Sequence, residues 1–489
     1  METPPKAGEL GTSSSPPSPT TPAVPDSFEE KKANIEKEAT SVSTAQPHDQ
    51  DQDLNQDQDA DPIRERWNSS SINVTRYLQT LLAFLVMGVS DASLGALLPY
   101  IEEYYNINYT IVACMFLSPF AGYTLSAFMI SKIHMRFGQV GIAVIAPTCK
   151  IIAYVITCVH PPFPVVPIFF VLTGLGNGLE DGAWNAWVGN MENANELMGI
   201  LHGAYGLGGA IGPLISTAMV TKGGLHWYTW YYVMVGFAVL EIFLGYYAFR
   251  SATGSVYRAK HPVSTTGPPE SRTREALKSK ITWLVAVFLL AYVGAEVALG
   301  GWIVTFMLQM RQGEPFASGM VATGFWLGLT AGRVVLGFVT GRIGEKLAVA
   351  LYLALSVGLQ LLFWLIPSFV ASAIFAAWLG FFLGPLFPAA IMVATKLLPP
   401  RLHVSAIGFV AAFGSSGAAV FPFVVGAIAQ AKGVWVLQPF ALALLAVILI
   451  SWVALPGGFK KSGLDVEQKK VLKIEKERGT LGAGPEAVV

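Results

Sequence analysis

The feature that most constrains this chain is a succession of apolar runs, each near the ~20 residues an α-helix needs to cross ~30 Å of hydrocarbon. Six lie at 77–101, 109–133, 140–158, 165–188, 197–220 and 230–249, and six more at 281–308, 317–340, 347–366, 370–398, 404–429 and 434–455. Lipid offers no partner to an open backbone group, so spanning segments must be helices or closed barrel strands. These runs are too long and too continuously apolar for barrel strands. Charged residues make up 13% of the chain against 53% hydrophobic, roughly half the ~25% charge of a soluble domain. With a net charge of zero, no global field argues for nucleic acid. The expectation is an all-α membrane protein with twelve transmembrane helices.

The segments between and beyond the runs set the organisation. Residues 1–75 are rich in Pro, Ser and Thr and then in Asp and Gln, a composition unable to bury enough apolar surface to fold. They predict a disordered cytosolic tail without a cleavable signal, leaving the first span to act as the targeting signal. A polar linker at 251–280 separates two six-helix halves, 76–250 and 281–456, and a second cytosolic tail follows at 457–489. Charge tests the count independently. With both termini in the cytosol, short inside segments carry 18 Lys and Arg, including Arg342 and Lys346, against 3 outside; losing one span would collapse that bias.

The halves repeat each other weakly. Asp91 in GVSDASLGALLPY corresponds to Glu296 in GAEVALGGWIVTF, and nearly the same offset relates MRFG ending at Gly138 to GRIG ending at Gly344. Gly174 and Gly178 align with Gly380 and Gly384, and Gly208 and Pro213 with Gly417 and Pro422. Two pseudo-symmetric bundles of this kind place a solute site between them near the membrane midplane.

Charges inside the spans need a reason, because each costs roughly 2.5–3.5 kcal/mol at the bilayer centre. Counting from the cytosolic ends, Asp91 and Glu296 lie at ~21–23 Å, and Lys150 and Glu180 at ~15–18 Å. Lys150 and either Glu180 or Asp181 share a depth on consecutive helices and are expected to form an ion pair, working or purely structural. Asp91 is the leading candidate for a group that changes protonation, against a buried carboxylate capping a neighbouring helix. Glu241, in the sixth span, reads as a structural pairing. Amides, carboxylates and indoles can hold a hydroxylated solute, which nominates Asn177, Trp184, Asn185, Glu296 and Trp302. Trp is equally an interfacial anchor and Asn an interhelical hydrogen bonder. His202 and Tyr205 open the fifth span, with His202 read as solvated near the cytosolic surface.

Over 76–455 the chain resembles the major facilitator superfamily. Its first-helix GVSDASLGALLPYIEEYY and fourth-helix GLGNGLEDGAWNAWV resemble the fucose-permease branch of sugar porters, including fungal membrane proteins of that branch. The resemblance implies proton coupling and sugar binding through a first-helix acid, here Asp91, and a fourth-helix acid followed by Asn. Glu180 fits that second role by its preceding Leu, and Asp181 by its spacing to Asn185. The superfamily's loop signature is degraded in SKIHMRFG (residues 131–138) and fuller in GRVVLGFVTGRIGEK (residues 332–346). That copy implies gating by Arg333 and Arg342, with Lys346 beside them, though Arg342 and Lys346 serve equally as topology determinants.

No phosphate-cradling loop, nucleophile elbow or pair of metal-ligating histidines is present, so neither an enzyme nor a cofactor or metal site is expected. Cys114, Cys149 and Cys158 lie in apolar stretches without disulfide spacing. The leading expectation is proton-coupled movement of a sugar or polyol-like solute by alternating access. A proton-antiport exporter of an organic metabolite or drug and a non-transporting solute receptor are the alternatives. The expected partners are solute, protons and the lipid bilayer, around a monomer in the plasma membrane by default or the vacuolar membrane otherwise.

Overall fold

The computed structural model describes residues 65–260, 269–399 and 402–482. The tail through residue 64, linker residues 261–268, residues 400–401 and residues 483–489 lie outside the described residues, as do the expectations that fall on them. In chain order the first half holds α1 (Ser71–Tyr105), α2 (Tyr109–Phe137), α3 (Gln139–Cys158), α4 (Val165–Gly189), α5 (Ala194–Thr221) and α6 (Trp230–Phe249). The linker contributes α7 (Gly254–Lys260) and α8 (Pro269–Lys278). The second half holds α9 (Lys280–Met310), α10 (Pro315–Ile343), α11 (Glu345–Leu365), α12 (Phe369–Leu383), α13 (Leu386–Leu397), α14 (His403–Ser415), α15 (Gly417–Lys432) and α16 (Leu437–Ala454), followed by α17 (Gly463–Gly482).

Among the described residues, eleven helical segments are long and apolar enough to cross a membrane. Two are interrupted. The tenth span breaks between α12 and α13 at Pro385, which cannot donate the next helical hydrogen bond. The eleventh breaks between α14 and α15, where Ser416 turns its hydroxyl back onto the Phe413 carbonyl at 2.6 Å. The twelfth expected span is α4. Its 25 residues suffice in length, but Asn177, Glu180, Asp181 and Asn185 dilute its apolar character. Packing against α2, α3 and α5 on its flanks shelters that polarity from lipid.

Helix ends follow local chemistry. The first helix begins at Ser71, within the stretch whose composition reads as tail, because the Ser70 side chain accepts from the Asn73 N–H. A bidentate Arg66–Glu192 pair at 2.7 and 3.1 Å pins this start to the turn after α4. Asn108 and Glu314 cap α2 and α10 in the same way, with Pro315 at the first position of α10.

The glycines that the two halves share make matching helix crossings. A Cβ on Gly208 of α5 would lie 2.0 Å from the Leu85 carbonyl oxygen of α1, and one on Gly417 of α15 would lie 2.2 Å from that of Leu290 on α9. Likewise Gly174 of α4 meets Pro119 of α2 at 1.9 Å, while Gly380 of α12 meets Phe325 of α10 at 2.2 Å. Only a residue without a side chain permits such approach, so the sequence repeat marks the places where backbones touch.

The halves are joined over only part of their length. Toward the end bearing the short turns at 106–108 and 311–314, α1 meets α9 through Gly95 against Gly300 and Gly301. There α2 also meets α15, where the Tyr109 N–H donates to Gln430 Oε1 at 2.9 Å, and α9, whose Gln309 amide donates to the Tyr109 hydroxyl. Between α5 and α10, Gly319 packs on Thr217, and Lys222 lies 3.7 Å from Glu314. Toward the end bearing the linker and the tails, α5 and α10 part. On one face of α5, Gly206 meets Thr330, whereas Gly203 and Gly199, one and two turns on, meet nothing within 4 Å; Gly337 on α10 is equally free. Among the described residues, the two sets of helices are thus joined toward the short-turn end, while α5 and α10 are apart toward the other.

Candidate functional site

A polar centre built from both halves lies next to the stretch where α5 and α10 part. Asp91 lies near the middle of α1, with Gly88 one turn below it against Tyr205 and Gly209, and Gly95 one turn above against α9. This face of α1 therefore looks into the protein, and the exposed surface of the Asp91 carboxylate belongs to an internal crevice, not to lipid. Its Oδ1 accepts from Asn177 Nδ2 at 3.1 Å and its Oδ2 from the Tyr205 hydroxyl at 3.2 Å. Asn177 is itself buried, with Oδ1 unpartnered.

Glu180 and Asp181, adjacent in sequence, occupy different surroundings. Successive side chains on a helix diverge by about 100°. Glu180 points into the first half and is 1% exposed, with Oε2 2.7 Å from Lys150 Nζ. Lys150, 0% exposed, is also 2.7 Å from Glu241 Oε2 on α6. Asp181 points away from this cluster, is half-buried, and accepts from Asn185 Nδ2 at 2.8 Å one turn along α4. It lies within electrostatic reach of Asp91 and Tyr123.

The second half answers with a charge pair. Glu296 on α9 accepts from Arg333 on α10 at 3.2 Å, and both act electrostatically on Tyr205 across the interface between halves. The motif groups Arg333 with the loop that follows α10. It sits instead almost three helical turns inside Ile343, with its Nε directed to the Gly384 carbonyl at 3.4 Å. A guanidinium at that depth needs a carboxylate, and Glu296 supplies it. Arg342 stays exposed at the helix end. Lys346 is buried, meets the carbonyls of Val453 and Leu455 at the end of α16, and lies over the Phe459 ring.

The two candidate indoles do not border the crevice in this conformation. Trp184 is 1% exposed and stacks on Phe249 at 4.5 Å. Trp302 is fully buried, donating to the Pro422 carbonyl at 2.9 Å. Both fill gaps between helices, which an apolar run favours as strongly as it favours a binding surface. Conversely, Trp326 escaped sequence reasoning. It lies between Gly209 and Gly300, at the join of the halves, with Nε1 unpartnered. Tyr123 also escaped notice, and His202 lies inside the molecule, its ring 5.4 Å from Phe84 and 6.5 Å from Phe387 of the other half. The Gly-Trp-Gly complementarity around Trp326 is invisible until helices are paired.

Residues 80–319 match the family model described as Major Facilitator Superfamily. The chain is 31% identical over 405 residues to Bypass of stop codon protein 6 of Saccharomyces cerevisiae, covering 77% of this chain and 81% of that protein. It is 22% identical to the glucose/mannose transporter GlcP of Bacillus subtilis over 72% of this chain and 87% of that one. Among solved structures, it superposes with a TM-score of 0.60 on a bacterial homologue of the human lysosomal transporter Spinster, described as inward-facing and unoccupied. That match has 14% identity and covers 83% of this chain and 98% of the other. The E. coli fucose:proton symporter FucP gives 0.55 at 12% identity, covering 77% and 97%.

Proposed function

The chain belongs to the major facilitator superfamily, a family of membrane transporters and not of enzymes, and from that premise we propose that it moves a small polar solute of the sugar or polyol class coupled to protons. The observation that carries this reading is the Asp91 carboxylate, exposed in a crevice between halves and held by two donors, Asn177 and Tyr205. The sugar porters in the comparison, GlcP and FucP, give the solute class its support, as does the first-helix and fourth-helix resemblance to the fucose-permease branch.

The geometry supplies a coupling step. An ionised carboxylate accepts both hydrogen bonds; a protonated one turns one oxygen into a donor, so the Tyr205 bond must reverse and free the phenolic hydrogen, or Asn177 must turn its Oδ1 toward the acid. Tyr205 is the partner that also faces Glu296 and Arg333 in the second half. Redirection of its hydroxyl hydrogen on protonation is the step by which the change passes from one half to the other. Asp181 and Asn185 offer further acceptors and donors for hydroxyl groups along the same wall, Asn177 adds its free Oδ1, and Glu296 lines the opposite one. With the Lys and Arg bias placing the tails in the cytosol, the open end faces inward and the sealed end outward. The plasma membrane is the default location and the monomer the working unit.

The test is uptake of labelled sugars and polyols into proteoliposomes across a range of external pH, comparing the intact chain with Asp91→Asn. A fall of at least tenfold in proton-driven accumulation, with equilibrium exchange retained, supports Asp91 as the coupling group. Unchanged accumulation removes it, and absence of counterflow for every solute leaves a binding protein, not a carrier.

A further inference from the structure

The cluster of Lys150, Glu180 and Glu241 lies outside the crevice and plays no part in the coupling step. Three ionisable side chains from α3, α4 and α6 meet there with exposures of 0%, 1% and 1%, and the single ammonium touches both carboxyl groups at 2.7 Å. Each sits roughly 12–17 Å inside the tail-end terminus of its helix. Two carboxylates and one ammonium would leave a net negative charge sealed in the first half. The charges and titratable groups facing the cluster do not offset it: Asp91 on α1, Tyr123 on α2, and Cys149 and Tyr154 on α3 are acids, phenols or a thiol.

Hydrogen bonding points the same way. Glu180 receives a well-directed bond from Lys150, but neither oxygen of Glu241 does, although one lies close to the ammonium and both are buried. A buried carboxylate without directed donors is costly. A neutral carboxyl in the same place is a donor, and the Glu180 carboxylate lies within hydrogen-bonding reach of it.

We propose that Lys150, Glu180 and Glu241 form a proton-binding site that holds one resident proton between the two glutamates. The ammonium, one carboxylate and one carboxylic acid then sum to zero charge, and the carboxylic hydrogen has the Glu180 carboxylate as its acceptor. The proton is taken up from solvent when the half folds, and the cluster keeps it because no water path reaches a site at 0–1% exposure. Like-charged carboxyl groups sharing one proton behave as a unit, so the proton belongs to the pair and not to either residue. The site pins α3, α4 and α6 together while leaving the crevice acids, Asp91 and Asp181, as the groups free to exchange protons. It does not depend on which solute is carried.

The experiment uses the purified full-length protein and three variants: Glu180→Gln, Glu241→Gln and the double variant. Glutamine mimics the protonated member, so each single variant retains a neutral cluster and melts within about 2 °C of the parent. The double variant strands the ammonium and melts far lower, by more than the single shifts combined. Infrared difference spectra of parent minus either single variant should contain one protonated-carboxyl stretch at neutral pH. Single variants that each fall as far as the double, or difference spectra lacking that band, would mean both glutamates are ionised and overturn the site. Should the double variant fail to fold, the infrared comparison of the singles still decides.

Discussion

At the scale of single residues, the effect of a change is set by what surrounds each position. Gly88 and Gly203 both belong to faces of the first half that look inward, yet a Cβ on Gly88 would lie 1.9 Å from the Tyr205 carbonyl oxygen while one on Gly203 meets nothing. Gly88→Ala must push α1 and α5 apart, at a cost of about 1–3 kcal/mol as for other overpacked sites, and it shifts Tyr205 relative to Asp91. Gly203→Ala relieves the entropic penalty of glycine in a helix and should leave stability unchanged or raised by up to about 1 kcal/mol. Thermal unfolding in one detergent compares them directly; equal losses would mean that the open face of α5 is packed in solution. The same logic separates Glu180 from Asp181. Depth along consecutive helices pairs Lys150 with an acid of α4, but the choice between adjacent acids depends on the rotation of α4 about its axis. Packing fixes that rotation.

At the scale of elements, each half ties the chain that follows its last helix to its own glycine turn. In the first half Gly138 bridges Thr253, the Val140 N–H donates to the Ala252 carbonyl at 3.3 Å, and His134 stacks on Tyr257 of α7 at 4.8 Å. In the second, Gly344 packs on Lys461, and Lys396 joins Glu345 of α11 to Asp465 of α17 at 2.7 and 2.9 Å. The repeat seen as MRFG and GRIG is thus a docking turn at this level. A further clip, Arg66 to Glu192, fastens the start of α1 to the turn between α4 and α5. The Arg66 guanidinium holds the Glu192 carboxyl below its ordinary value, chiefly through the hydrogen bond between them. A lowered folded-state value stabilises the clip above the ordinary glutamate pKa of about 4.3 and loses that contribution as pH falls toward the lowered one. Amide hydrogen exchange at residues 190–193, corrected for intrinsic rate, should therefore be flat from pH 8 to pH 5 and rise on further acidification. A rise between pH 7 and pH 6 would assign the clip to some other group.

At the scale of the whole molecule, closure at one end and opening at the other form a single rigid-body fact, because α5 and α10 touch from Gly206 to Gly319 and separate beyond. Alternating access requires the short-turn end to part, so a link there should arrest the cycle. With the three native cysteines replaced, Lys222→Cys with Glu314→Cys should be joined by a reducible bifunctional thiol reagent, since the longer native side chains meet tip to tip at 3.7 Å; the link should abolish transport, and reduction should restore it. Transport that survives complete cross-linking would mean the halves do not separate at this end. Hydropathy and repeated glycines are properties of residues taken one at a time or at fixed spacing, so the sequence by itself determined the lipid-spanning helices and the positions of closest helix approach. The tertiary structure alone decided the rest: that Arg333 answers Glu296 inside the membrane, that Trp184 and Trp302 pack instead of lining the crevice, that Glu241 completes the Lys150 cluster, and which end is open. Those outcomes depend on the rotation of each helix and the tilt of one half against the other, and many distant contacts set both together.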